Sequence, residues 1–374
     1  MVHLRSLFKE KKMSDVEKRC RQAFNSYGIS SILWNVTYQC DLKCKHCYIG
    51  EPSNKHEELN TKQATDLISN IGDMGIPLLF MTGGEPLLRD DIFDLIQLCK
   101  DYDIMTVLSS NGLLINKQAA KKLRKHNVHY IAVSVYGPPS VHDDIVGLPG
   151  SFNKLMENAK SCIDEGINFC FKTVVNKYTY EHIPYIFQKG SELGVKSFYL
   201  CDLVETGRAH DGRDWRISRD QWLELTDFLF NKVELEQGAE VDMGACPSIA
   251  PLAIEHFKKK GWDVTHAFDR LGSLSACPIG EGSLGISARG DVLPCIFMQN
   301  FSVGNILKDD IRKIALGPEI QSIAKKTQLK GICGSCDYKL LCGGCRAKAK
   351  MSTGDIFEED FTCLYRTPTK RSSN

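Results

Sequence analysis

The chain has 374 residues, 43% of them hydrophobic and 25% charged, with 47 Lys and Arg against 46 Asp and Glu for a net charge of +1. That length can bury the cores of two domains, and so balanced a charge gives no single-signed field for nucleic acid. No apolar run reaches the ~20 residues of a membrane span, and Met1 to Asp15 holds no apolar signal segment, so the expectation is a cytoplasmic chain with neither membrane nor nucleic acid as partner.

From Ile29 onward, short branched apolar runs alternate with amphipathic segments of helical length. Strands are predicted at Ser31–Tyr38, Pro77–Thr82, Met105–Ser110, Tyr130–Val135, Phe169–Val175 and Lys196–Leu203. Helices are predicted near Thr61–Met74, Asp90–Asp101, Lys117–His126, Phe152–Glu165, Tyr180–Leu193 and Asp220–Val233, the first opened by an Asn60/Gln63 capping box. Such alternation predicts an α/β fold of βαβ units around a parallel sheet, with chemistry at the carboxyl ends of the strands. After a glycine-scattered stretch from Gly238 to Gly272 the helical pattern thins and cysteines become dense, as expected where metal holds the chain. The expected division is residues 1–28 as an N-terminal extension, 29–235 as the α/β unit, 236–366 as a cysteine-rich domain and 367–374 as a frayed tail.

Sixteen cysteines in a chain with no export signal point to metal ligation in a reducing compartment rather than to disulfides. Cys40, Cys44 and Cys47 follow the first strand with CxxxCxxC spacing, and the next cysteine is Cys99. A 4Fe-4S cluster normally takes four thiolates, so three leave one iron open to chelate a small molecule. Zinc is the competing reading, but a structural zinc site prefers four closed ligands. At the end of the second strand stands Thr82-Gly83-Gly84-Glu85-Pro86, whose glycines let the backbone approach a ligand closely.

With the aromatic Tyr48 after the last cysteine, this pair of motifs resembles the radical S-adenosylmethionine (SAM) superfamily. The resemblance implies a partial (β/α)6 barrel in which Cys40, Cys44 and Cys47 hold the SAM-binding cluster and Gly83, Gly84, Glu85 and Pro86 receive the SAM amino group. It also implies that Ser134, Lys172 and Asn111, at later strand ends, reach the ribose or carboxylate of SAM, although ordinary strand-end capping would place such residues equally well.

Farther on, Cys277 and Gly290 precede Cys295, and then come Cys333, Cys336, Cys342, Cys345 and Cys363. This order resembles the SPASM domain, which binds two auxiliary 4Fe-4S clusters. One departure is the two residues, Gly343 and Gly344, between Cys342 and Cys345, where members of the family often have three. Three 4Fe-4S clusters, one with an open iron, need about eleven thiolates. The two motifs supply ten, and Cys246 is the nearest further cysteine. By analogy, Cys246, Cys277, Cys295 and Cys345 hold one auxiliary cluster, and Cys333, Cys336, Cys342 and Cys363 the other. A zinc ribbon is the competing reading for Cys333 to Cys345. Cys20, Cys99, Cys162, Cys170 and Cys201 are expected to be buried apolar fillers.

The resemblance implies an oxygen-sensitive enzyme that cleaves SAM reductively to a 5′-deoxyadenosyl radical, with electrons from a low-potential donor such as ferredoxin or flavodoxin. Auxiliary clusters suit a net oxidation of the substrate, and Asp202, Glu205 and His210 are candidate bases. Arg208, Arg213, Arg216 and Arg219 beyond the last barrel strand suit a substrate with several carboxylates, although a solvated, salt-bridged loop explains any one of them as well. Together with the run from Cys342 to Asp360, they resemble the branch that edits tetrapyrrole side chains in haem biosynthesis. The alternatives are a maturase that oxidises or crosslinks a ribosomally made peptide, for which the 28 residues ahead of the first strand are too few to hold a fused peptide-binding domain, and a non-catalytic Fe–S carrier, which would have no use for a SAM site.

Overall fold

The computed structural model describes residues 2–4, 14–50, 57–210, 212–235, 239–265 and 276–366. Eleven strands form one sheet: β1 (Val2–His3), β2 (Ile29–Thr37), β3 (Leu78–Gly83), β4 (Met105–Ser110), β5 (Tyr130–Ser134), β6 (Phe169–Val175), β7 (Ser197–Asp202), β8 (Glu240–Gly244), β9 (Gly282–Ile286), β10 (Asp291–Leu293) and β11 (Gly304–Asn305). Their spatial order is β1-β8-β7-β6-β5-β4-β3-β2-β9-β10-β11. Strands β2 to β8 pair in parallel with their neighbours in chain order, as right-handed βαβ crossovers dictate. The mixed α/β architecture and its six sequence-predicted strands are therefore present.

Two parallel strands lie outside the six. β8 adds to β7, and β9 runs parallel along the other side of β2, pairing Leu33 with Gly285 and Trp34 with Ile286. The cysteine-rich segment thus continues the sheet instead of following it as a separate layer. Both strands are short and glycine-bearing, so their patterns read as turns; pairing with a formed neighbour makes them strands. The thinning of helical pattern after residue 238 also hid the helix Ile249–Lys259, which buries Ile249, Ala253, Ile254 and Phe257.

Burial reaches both faces of β2: Ile29, Ile32, Trp34 and Val36 are fully excluded from water, and the polar Ser30, Asn35 and Thr37 are buried beside them. The helix Thr61–Asp73 covers one face with Leu67, Ile68 and Ile71, each contributing roughly 1.5–3 kcal/mol of apolar transfer. Its capping box forms as read: Asn60 accepts from the Gln63 amide at 3.0 Å, and Gln63 accepts from the Asn60 amide at 2.9 Å. No described helix is long and apolar enough to cross a membrane. Cys99, Cys162, Cys170 and Cys201 are buried as apolar fillers, whereas Cys20 is only half-buried.

Candidate active site and cluster centres

The loop from Tyr38 to Gly50 leaves the carboxyl end of β2 and is held from three sides. Lys43 and Lys45 donate their amides to the carbonyls of Val146 and Ile145 at 3.3 and 3.0 Å. Leu42, Tyr136, Ile145 and Val146 form an apolar cradle under Cys40 and Cys44. Arg208, from the segment after β7, donates Nε to the Cys44 carbonyl at 2.8 Å and Nη1 to the Gly50 carbonyl at 2.6 Å, while its amide reaches the Cys47 carbonyl at 2.9 Å. Gly207 permits this approach, since its φ is +60° and a Cβ there would collide with the carbonyls of Cys47 and Tyr48.

Burial pushes the Cys44 thiol up to about 12 and the Cys40 thiol up to about 11, with the neighbouring cysteines adding repulsion at Cys44. Cys40 and Cys44, whose thiols resist ionisation, stand in one loop with Cys47, a set that fits a cationic iron centre, which deprotonates its thiols outright. His46 lies in the same loop, buried, edge-on to Tyr136 at 4.6 Å and held neutral by desolvation, its value lowered to about 4. No three His, Cys, Asp or Glu side chains among the described residues close to single-ion distances, so ligand assignment rests on what surrounds each sulfur.

At the end of β3, a Cβ on Gly83 or Gly84 would run into the carbonyls of Thr37 or Gln39. The two glycines thus let the turn seat against the cysteine loop, with the Gly84 amide donating to the Thr37 carbonyl at 2.9 Å and the Glu85 amide to the Gln39 carbonyl at 2.8 Å. Glu85 is wholly buried, and its carboxylate accepts from the Ser110 hydroxyl at 2.9 Å, the Asn111 amide at 2.8 Å and the Leu87 amide at 3.1 Å. Desolvation outweighs these donors and raises it to about 7. Its side chain therefore positions β4 against the turn, while backbone groups of Gly83 and Gly84 face the loop. Asn111 donates Nδ2 to Asp41 beside Cys40 at 2.6 Å. Lys172 donates to the Ser109 hydroxyl, and Ser134 pairs in register with it and bonds the Tyr136 phenol. Of the residues expected around SAM, Asn111 and Ser134 thus lie at the ends of β4 and β5, and Lys172 stands midway along the neighbouring β6.

The later cysteines form two groups. Cys277, Cys295 and Cys345 share one apolar cluster with Met298 and Ile356, which Ala245, the neighbour of Cys246, joins. Cys345 and Cys246 both face the ammonium of Lys348. The second group is sharper: Cys333, Cys336, Cys342 and Cys363 line one hollow together with Tyr365 and Arg366. Its sulfurs accept from N–H donors, Cys333 from the Asp360 amide at 3.3 Å and Arg346 Nη2 at 3.5 Å, Cys342 from the Gly344 amide at 3.4 Å, and Cys363 from the Arg366 amide at 3.4 Å. Four cysteines around one hollow with amides aimed at sulfur is a donor set that suits a 4Fe-4S cluster. The loop of Tyr48 joins the two regions, for its ring meets Phe297, two residues past Cys295, edge-on at 5.3 Å.

The arginines and acids after β7 are mostly committed within the chain. Arg208 clamps the cysteine loop, Arg219 donates Nη2 to the Leu364 carbonyl at 2.7 Å, and Arg216 pairs with Glu205 and stacks over Phe361 at 4.2 Å; the side chain of Arg213 lies outside the described residues. Arg208 and Arg219 thus tether backbone carbonyls of the chain, Arg219 from an exposed position. Asp202 is bound to Lys348 in a buried ion pair, and His210 is exposed. Glu205 alone of the three candidate bases keeps a buried oxygen, Oε1, with no hydrogen-bond partner. Sequence reasoning gave no role to Arg346, Lys348 or Asp360, though two cations among the alanines of Arg346-Ala347-Lys348-Ala349, directly after the last cysteine pair, were a usable signal.

Comparison with known proteins identifies the family and the fold. Residues 34–189 match the radical SAM superfamily, and residues 277–337 match SPASM, an iron–sulfur cluster-binding domain. The AdoMet-dependent heme synthase of Methanosarcina barkeri is 30% identical over 345 residues, 91% of this chain and 97% of the relative. The Pre-heme d1 synthase of Dinoroseobacter shibae is 28% identical over 296 residues, 77% of this chain and 73% of the relative. Among solved structures, Streptococcus suis SuiB bound to S-adenosylmethionine superposes with a TM-score of 0.72 at 19% identity, covering 93% of this chain and 81% of that one.

Proposed function

Because the chain belongs to the radical SAM enzymes that carry a SPASM iron–sulfur domain, we propose that it oxidatively removes carboxylate side chains from an iron tetrapyrrole in haem biosynthesis. The observation that carries this reading is the likeness to the Methanosarcina barkeri AdoMet-dependent heme synthase along nearly the whole length of both chains. Cys40, Cys44 and Cys47 would hold the SAM-binding cluster, with the Cys246/Cys277/Cys295/Cys345 and Cys333/Cys336/Cys342/Cys363 sets holding two auxiliary ones, all in the reducing cytoplasm. SAM on the open iron supplies a 5′-deoxyadenosyl radical able to take hydrogen from an unactivated carbon, and the auxiliary clusters supply an electron acceptor.

The protein's own part is placement and proton handling. Gly83 and Gly84 let backbone carbonyls approach the SAM amino group, Glu85 fixes the β3 turn to Ser110 and Asn111, and Lys172 offers a cation toward a carboxylate. Glu205, whose Oε1 is buried without a donor while Arg216 anchors its other oxygen, would take the proton of a side-chain carboxyl that enters protonated, leaving the carboxylate that is lost as carbon dioxide. A propionate that loses one hydrogen atom, carbon dioxide and one further electron becomes a vinyl group, so the reaction needs an external electron donor such as a reduced ferredoxin or flavodoxin only for SAM cleavage.

The test is anaerobic: reconstitute the protein, quantify iron per chain, and supply SAM, dithionite and a panel of iron porphyrins bearing propionates. About twelve irons, with 5′-deoxyadenosine formed faster in the presence of one porphyrin and that porphyrin losing mass, is the expected result. Deoxyadenosine formation that no porphyrin accelerates, but that a peptide does, would replace the tetrapyrrole by a peptide substrate.

A further inference from the structure

One short helix stands between the two auxiliary cysteine sets. It spans Arg346–Thr353 and starts at Cys345, its N-terminal cap. Residues two apart on a helix point in nearly opposite directions. Arg346 turns toward Cys333, and Lys348 toward Cys345 and Cys246.

The two cations meet different surroundings. Arg346 is 1% exposed and donates Nη1 to the carbonyls of Ile356 and Glu358 at 2.9 and 2.5 Å, Nε to the Gly344 carbonyl at 3.4 Å, and Nη2 to the Cys333 sulfur at 3.5 Å. All four of these acceptors are neutral carbonyls or sulfur, and a guanidinium keeps its charge when buried. Lys348 is ion-paired with Asp202. Asp360 lies by both sets, but its carboxylate accepts from the Cys345 amide at 2.7 Å and from the Thr362 amide at 3.0 Å, and its amide donates to Cys333. The close approach of Arg346 is built in, because Gly344 has φ +67° and a Cβ there would stand 2.6 Å from Arg346 Nη2 and 2.9 Å from the Cys333 sulfur.

A cation or N–H donor at a cluster sulfur favours the reduced, more negative cluster and so raises its potential, while a carboxylate lowers it. Resting on the three-cluster reading above, we propose that Arg346 makes the cluster held by Cys333, Cys336, Cys342 and Cys363 the stronger electron acceptor of the auxiliary pair. Lys348, neutralised by Asp202, leaves the other cluster at the lower potential. Arg346 acts here through the Cys333 sulfur and is a positioning and tuning residue.

The test is an anaerobic redox titration of the reconstituted full chain followed by electron paramagnetic resonance, with C363S identifying which auxiliary signal belongs to the Cys333 set. That signal is expected to titrate at the higher potential. R346M lowers it by at least a tenfold change in the reduced-to-oxidised ratio, ~59 mV for one electron, without moving the other, and R346K restores most of the shift. The proposal is overturned if the Cys333-set signal is the lower of the two in the unaltered protein, or if R346M retains its iron and neither potential moves. Should R346M fail to load iron, the order of the two potentials in the unaltered protein decides alone. An iron content of about four per chain would instead remove the auxiliary clusters and with them the reading on which this rests.

Discussion

Lys348 and Asp202 form an ion pair with side chains only 2% and 10% exposed, and the pair ties the helix after the last cysteines to the end of β7. Desolvation alone would raise the Asp202 carboxyl and lower the Lys348 ammonium, but the partners' charges win at the lysine, which is held above its ordinary value. Removing one partner leaves the other charge buried and unpaired. K348M or D202L should each destabilise the loaded protein by about 3–5 kcal/mol, and the double variant K348M/D202L by much less than the sum. Urea midpoints read from cluster absorbance check this, and additive losses would show that the pair is not coupled.

Glu85 predicts a pH dependence. A carboxyl raised from 4.5 to about 7 holds its proton more tightly when folded than when unfolded. Its contribution is therefore fully present below about pH 4.5 and is lost as pH rises through about 7, by on the order of a few kcal/mol. E85Q keeps an acceptor for Asn111 and has no proton to lose, so the fall in thermal midpoint between pH 5 and 8 should flatten. An unchanged slope in E85Q would assign it to other groups.

Arg208 holds the carbonyls of Cys44 and Gly50, so R208A should loosen the first cysteine loop. The expected loss is about four irons per chain, along with SAM cleavage, while the auxiliary signals remain. Retention of full iron and cleavage by R208A would return this arginine to the substrate.

Gly84 has no space for a methyl group against the Gln39 carbonyl. G84A must push the β3 turn away from the cysteine loop, and a displacement of that kind costs about 10²-fold in rate. SAM-dependent deoxyadenosine formation should fall by that order with iron content intact. A G84A enzyme with normal turnover would mean that the turn does not set the position of SAM.

Strands β2 to β7 were legible to within two residues because each is a branched apolar run bounded by turn residues. The grouping of the later cysteines came from the resemblance to the SPASM domain and not from their spacing, which leaves the partners of distant thiols open. The charge pairings were not legible: Lys348 meets Asp202 across 146 residues of chain, and Arg208 reaches Cys44 across 164. Arg208, Arg216 and Arg219 look alike as a cluster in sequence, yet each is held by a different partner that only the tertiary fold brings near, and Arg219 stays exposed. The helix Pro139–Val146, whose end supports the first cysteine loop, also went unread, its eight residues being too short to show a helical period.

β2 owes its place in the middle of the sheet to β9, and β7 likewise has β8 on its far side. A chain cut after residue 235 would bare two parallel edges at once, each a row of unpaired amides and carbonyls open to a second copy. A replacement for the cysteine-rich segment would have to bring strands in register with Ile29–Thr37 and Ser197–Asp202, so the two parts of the chain are joined as a single mechanical unit.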